Sequence, residues 1–243
     1  MITLCVMSEV RSIALSGELF GQRIREQRTE QYGRRLEMLL AGCAHEAPEL
    51  DDVEIRHTAV DENLAPIRTR LESRDDLAAW TLGDLRAVPL PPRSFDVIHI
   101  AFLLERINYA ELVLDRMLSS LRPGGIILVR MRDRDSAYGL LVRLTPRWLR
   151  RLLWRHLVAP GAVGPLPAVY EPVTSRDGLH AFCLLRGLMI TDDRRATSGT
   201  ARGRVGSAAV ALVDWLTRGR FSGGHDEVTL VIRKPQHHFA RLI

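Results

Sequence analysis

Residues 82–107 read LGDLRAVPLPPRSFDVIHIAFLLERI, and residues 114–129 read LDRMLSSLRPGGIILV. Within the first, Phe95–Phe102 is an apolar run interrupted only by Asp96 and His99; within the second, Ile126–Val129 is apolar throughout. Runs of this kind suit strands covered on both faces. Between them Leu112, Leu114, Met117, Leu118 and Leu121 punctuate Glu111–Leu121. That spacing predicts a helix, which Gly124-Gly125 is expected to end. Strand, helix, strand is the unit of a parallel sheet, with the crossover helix laid on one face.

The alternation continues outward in both directions. Val53–Val60 alternates apolar with polar and carries β-branched residues, which predicts a strand stopping at Asp61. Asn63–Ser73 places Leu64, Ile67 and Leu71 on one helical face, and Leu77–Leu82 is a short strand before Gly83-Asp84. Residues 17–40 predict one or two helices, and Leu36–Leu40 reads equally as a strand or as the end of the last of them. Downstream, Ser175–Arg186 is a helix closed by Gly187, Leu188–Thr191 a strand, Asp192–Gly206 a polar loop, Val210–Leu216 helical and Glu227–Ile232 the last strand. Strands alternating with helices imply an α/β fold with helices on both faces of a mainly parallel sheet.

At 243 residues, 46% hydrophobic and 26% charged, the chain has the size and balance of one soluble globular domain with a full core. Collagen, disordered tails and disulfide scaffolds are excluded on composition. No apolar run approaches the roughly 18 residues of a membrane span, and Met1–Val10 lacks the parts of a signal peptide. Cys5, Cys43 and Cys183, an odd number without CxxC spacing, fit a reducing cytoplasm. The net charge of +5 comes almost wholly from arginine, Lys234 being the only lysine, but acids are interspersed among the arginines as on an ordinary solvated surface. No His/Asp/Glu spacing reads as a metal site, and His237-His238 reads as an exposed tail.

Open parallel sheets bind ligands beyond the carboxyl ends of their strands. The residues at those ends, Asp61, Gly83-Asp84, Phe95-Asp96 and Leu121-Arg122-Pro123-Gly124-Gly125, form a series that resembles the class I S-adenosylmethionine-dependent methyltransferases. The resemblance runs from about Leu36 to Asp135 and resumes in SRDGLHAFCLLRGLMI (175–190) and HDEVTLVIRKP (225–235). It implies a single-domain, Rossmann-like, seven-stranded sheet between helical layers, mainly parallel with an antiparallel final strand. It also implies roles: Asp61 for both ribose hydroxyls of S-adenosylmethionine, Asp84 for the adenine amino group, Leu85 for the ring, and Asp96 and Pro123-Gly124-Gly125 for structure. The family's first motif, an acidic residue followed by G-x-G-x-G, is degenerate here. Leu40 stands for the acid, Gly42 for the first glycine, Ala44 for the second and Glu46 for the third. Modified cofactor binding, loss of the cofactor and a shifted register are all open at this point.

The leading reading is methyl transfer to a small-molecule or lipophilic acceptor. A non-catalytic methyltransferase-like partner or scaffold of another enzyme is the alternative, alongside a non-methylating enzyme on the same fold. The Asn/Asp-Pro-Pro-Tyr/Phe motif used on flipped bases is absent after the third predicted strand, so nucleic acid is not expected as a partner. His99 is the candidate general base, since an imidazole titrates near neutrality. Glu105, Arg106 and Tyr138 are candidates for the pocket mouth. Residues 143–174 read as a lid or substrate-side insertion. Within it, Pro146–Leu157 is an amphipathic helix bearing Arg147, Arg151, Arg155 and Trp154, which suits either packing over the sheet or contact with an anionic membrane surface. The loop VAPGAVGPLPAVYEP (158–172) could wall an apolar acceptor pocket. A homodimer also remains open.

Overall fold

The computed structural model describes residues 2–42, 50–146, 167–196 and 223–236, with isolated positions from 211 to 221. Chain order gives α1 (Ile2–Glu30), β1 (Leu36–Ala41), β2 (Ile55–Asp61), α2 (Ala65–Glu72), β3 (Leu77–Leu82), β4 (Phe95–Ala101), α3 (Ala110–Ser120), β5 (Leu121–Arg132) and α4 (Ala137–Leu144). A 3-10 turn at Pro172–Thr174 leads into α5 (Arg176–Leu185), then β6 (Met189–Ala196) and β7 (Glu227–Arg233). One seven-stranded sheet runs in the order β3-β2-β1-β4-β5-β7-β6. Strands β1 to β5 pair in parallel, and β7 lies antiparallel between β5 and β6. The expected fold and its reversed final strand are both present.

Each face of the sheet is sealed by its own helices. Leu19, Phe20 and Ile24 of α1 and Ile67 and Leu71 of α2 pack with Met38, Leu40, Val97 and Leu128. Val113, Leu114 and Met117 of α3 and Leu179 and Phe182 of α5 pack with Leu39, Ile98, Ile100 and Val129 on the other face. Strand β4 is buried at every residue, which is what its unbroken apolar run requires. Asp96 is the polar exception. Its carboxylate receives both terminal nitrogens of Arg34, the Glu37 amide and Nη1 of Arg122, tying the amino ends of β1, β4 and β5 together. Those contacts hold its carboxyl below the usual range despite burial, in keeping with the structural role expected of it.

Several element bounds differ from the sequence-based expectation. Helix α1 begins at Ile2, and Leu36–Ala41 is a strand. Helix α3 ends at Ser120, and Gly124-Gly125 lies inside β5. A Cβ on Gly125 would meet the Asp96 carbonyl oxygen at 2.9 Å, so this glycine lets β5 approach β4 closely. The stretch from Asp192 was expected to be loop, yet β6 continues to Ala196 by pairing with β7. An edge strand needs no apolar alternation once ion pairs engage its charges. Asp192 meets Arg23 of α1, and Asp193 meets Arg176 of α5.

Candidate active site

After β1 the chain steps outward to β2 and β3, then crosses back to β4 on the other side of β1. This reversal opens a crevice at the carboxyl ends of β1 and β4, the preferred ligand position in open α/β sheets. Gly42 follows β1 at that point with φ +88, and a Cβ there would sit 2.2 Å from the Ala101 carbonyl oxygen at the end of β4. Both the backbone angle and the contact exclude other residues. Leu40, standing where an acid was considered, is buried beneath α1. Ala44 and Glu46 lie outside the described residues, as does nearly all of the Pro146–Leu157 segment.

Asp61 is the last residue of β2 and is wholly buried. Its Oδ1 accepts the Glu62 amide at 2.7 Å and Nη2 of Arg106 at 2.5 Å. Arg106 reaches it from the loop after β4 and is itself 3% exposed. The other guanidinium nitrogen, Nη1, has no hydrogen-bond partner and lies 3.7 Å from Glu62 Oε2, an acceptor that also lacks one. Burial raises the Glu62 carboxyl, with Arg106 opposing. A buried donor and a buried acceptor, ion-paired at 3.7 Å but each without a hydrogen bond, mark a place for a group that can both accept and donate.

Asp84 stands two residues beyond β3 on the same edge of the sheet. It forms a bidentate pair with Arg86, whose guanidinium lies 5.0 Å from the centre of the Tyr109 ring. The hydrogen bonds from the Arg86 side chain and amide hold the exposed Asp84 carboxyl down to about 2. Leu85 turns inward and packs in the core with Val88, 5% exposed. The structure thus brings Gly42, Asp61 and Asp84 to one edge.

It does not bring His99 there. His99 lies two residues short of the end of β4, beside Leu40 of β1, on the face that α1 covers. Its ring meets Phe20 edge-on, with centroids 5.4 Å apart. Burial, with Arg130 and His57 adding repulsion, pushes its pKa down to about 3.

Glu105 does reach the crevice. It is 7% exposed, and its Oε1 accepts the Arg132 amide at the end of β5. Its backbone carbonyl accepts the amides of Val169 and Tyr170, where the chain returns from residues 147–166. Arg132 pairs with Asp226 and lies over the rings of Phe102 and Tyr138. The sequence marked Glu105, Arg106 and Tyr138 only as mouth residues. The further signal was that the apolar run of β4 continues through Leu103-Leu104, which carries the following charged pair into the interior. Among the described residues no group of three His, Cys, Asp or Glu could hold a metal ion, and no helix is long and apolar enough to cross a membrane.

Residues 39–129 match the model of a methyltransferase domain. The ubiquinone/menaquinone biosynthesis C-methyltransferase UbiE of Paraburkholderia phytofirmans is 31% identical over 80 residues, which cover 32% of this chain and 33% of that protein. The match thus spans about a third of the length of such curated relatives. Among solved structures, loganic acid methyltransferase with SAH superposes with a TM-score of 0.58 at 11% identity, covering 95% of each chain. The [4+2]-cyclase SpnF does so with a TM-score of 0.50 at 17% identity, covering 83% of this chain and 75% of that one. Likeness at such identity establishes the fold and leaves chemistry to the site.

Proposed function

We propose that this chain, whose residues 39–129 match a methyltransferase domain, is a class I S-adenosylmethionine-dependent methyltransferase that transfers a methyl group to a small-molecule acceptor at the carboxyl-end crevice. The observation that carries the proposal is the pair beside Asp61 that lacks a hydrogen bond on either side. A ribose hydroxyl accepts from a guanidinium and donates to a carboxylate, so it answers Arg106 Nη1 and Glu62 Oε2 together. The residues present therefore fit the cofactor. Asp61, Glu62 and Arg106 would hold its ribose, Asp84 the amino group of its adenine, and Gly42 with Ala44 its methionine portion; Leu85, packed in the core, would back the adenine site from beneath. Bound there, the cofactor supplies a methyl carbon made electrophilic by a sulfonium.

The chain itself contributes placement and exclusion of water. Methyl transfer is a displacement in line with the breaking bond, so alignment of the acceptor accounts for much of the rate. We assign His99 to holding α1 against the sheet and not to proton transfer, because its ring is enclosed on the α1 face. Residues 143–174 are proposed as the cover of the acceptor side. Their described end already closes on Glu105 and on α3, where the Glu171 carboxylate accepts the amides of Tyr109 and Ala110. Contact of Pro146–Leu157 with an anionic membrane, self-association and cytoplasmic residence are further parts of the proposal. The name of the similar quinone-pathway C-methyltransferase favours a small-molecule acceptor.

A second reading, a non-catalytic relative, draws on Leu40 being buried where the family has an acid and on Arg106 already engaging Asp61. Calorimetric titration with S-adenosylhomocysteine separates the two. The enzyme reading expects binding by the wild type and weakening by about 1.5–3 kcal/mol in Asp61→Ala, the range for a hydrogen bond to a charged group. Absence of binding at millimolar ligand favours the non-catalytic reading.

A further inference from the structure

We infer that Glu105 is the group that takes the proton of the acceptor's hydroxyl, and that the acceptor is accordingly a phenol or an enol. Position comes first. Glu105 stands where the carboxyl ends of β4 and β5 meet the chain returning from residues 147–166, with bonds to Arg132 of β5 and to Val169 and Tyr170 of the return. That is the side of the crevice away from Asp61 and β2, where an acceptor must lie if the ribose is held at β2.

The carboxyl itself is only half used. Oε1 accepts the Arg132 amide and the residue's own amide also favours the carboxylate, while Oε2 is buried without a hydrogen-bond partner of normal geometry. A carboxylate normally recruits several donors when buried, and leaving one oxygen unmatched is costly. Two cations lie near it, Arg106 on its own loop and Arg132 on β5, and each is engaged in an ion pair, with Asp61 and Asp226 respectively. They favour the ionised form without neutralising it, and burial opposes them more strongly, so the group is pushed up to about 7. It therefore exchanges its proton around neutrality.

The transfer is simple to write. The acceptor's O–H bond breaks, the proton passes to Oε2, and the electron pair stays on the acceptor oxygen. Glu105 ends as a neutral carboxylic acid. This sets the acidity required of the acceptor. A phenol, near 10, lies about 3 units above such a carboxyl. A hydroxyl as weakly acidic as water lies far above it, beyond the reach of this base. Arg132, whose amide meets the Glu105 carboxyl, lies over the rings of Phe102 and Tyr138, and Arg130 lies over Phe102 as well, which makes a cationic and aromatic wall beside the carboxyl.

The inference rests on the methyl-transfer reading for the fate of the deprotonated acceptor, and its test does not require the cofactor. The full-length protein is titrated with 4-nitrophenol, whose absorption reports its own ionisation, from about pH 5 to about pH 9. One proton shared between probe and Glu105 makes binding tightest near neutrality. Glu105→Gln imitates the protonated acid in shape and hydrogen bonding, so a merely structural role would leave both affinity and profile unchanged. The expected result is binding weakened about tenfold at neutral pH and a profile without its peak. Wild-type affinity and profile in Glu105→Gln, or no binding by the wild type, overturns the inference. If Glu105→Gln does not fold, carbon-13 titration of the wild-type Glu105 carboxyl decides. Its midpoint is expected to move when 4-nitrophenol is added, and an unmoved midpoint overturns the inference. S-adenosylhomocysteine is titrated separately. Its failure to bind alongside an intact 4-nitrophenol profile would sink methyl transfer and leave Glu105 standing.

Discussion

Arg106 donates Nη2 to Oδ1 of Asp61 at 2.5 Å, joining the loop after β4 to the last residue of β2 across the intervening strand β1. Both side chains are almost fully withdrawn from water. A pair of this kind fixes the crevice before any ligand arrives, because neither charge can be left alone in the interior.

Removing one partner should therefore cost far more than removing both. Arg106→Met strands a buried carboxylate and should lower unfolding free energy by about 3–5 kcal/mol. Arg106→Met with Asp61→Leu should recover most of the loss. Denaturant unfolding of the two single variants and the double variant checks this. A loss in the double variant equal to the sum of the two single losses would show that the pair is not coupled.

The pH dependence of stability should carry the mark of Glu105. Its folded pKa is about 7, above the ordinary glutamate value. Between about 4.3 and 7 the folded state holds more protons than the unfolded one, so stability falls as pH rises through that window. Glu105→Gln removes the dependence. It should match the wild type near pH 4 and exceed it near pH 8 by up to about 3 kcal/mol, as read from urea midpoints at each pH. A constant difference across the range would contradict the shift.

His99 should act with the opposite slope. Its pKa falls to about 3 in the fold, so between there and roughly 6.5 the unfolded state binds the extra proton. Stability is then lost as pH falls through that window. His99→Leu should make the slope of unfolding free energy against pH shallower by about one proton there. It should leave S-adenosylhomocysteine affinity unchanged if His99 only packs α1 against the sheet.

Gly42 is the most constrained turn in the crevice. Gly42→Ala adds a methyl 2.2 Å from the Ala101 carbonyl oxygen at a left-handed φ. We expect a loss of about 2 kcal/mol or more, seen as a lowered thermal midpoint. An unchanged midpoint would mean that β1 and β4 separate readily at this end.

How much of this was legible in the sequence depends on which forces act locally. The central strands were plain because β4 and the middle of β5 are buried on both faces and must be largely apolar. Asp61 and Asp84 were placed by their positions at strand ends. Edge strand β6 was not fully legible, since Asp192–Ala196 owes its strand conformation to pairing with β7 and to arginines on distant helices. The partnership of Arg106 with Asp61 spans 45 positions, and no local pattern encodes it. The burial of Glu105 depends on β5 and on the chain returning at Val169, so its sequence context, a charged pair after a strand, reads as a solvated loop. His99 misled for the converse reason. Its type suits proton transfer, but its register beside Leu40 turns it toward Phe20.

The central claim is that the carboxyl-end crevice binds S-adenosylmethionine. Residue-level hydrogen exchange with and without saturating S-adenosylmethionine addresses it most directly, because it locates binding as well as detecting it. The amides of Gly42, Glu62 and Gly83 follow the ends of β1, β2 and β3, and that of Arg106 lies in the loop after β4. Slower exchange is predicted at those four positions and their immediate neighbours, with α5 and β6 unchanged. Exchange that is unaltered throughout, or slowed only along the α5–β6 edge, would contradict the claim.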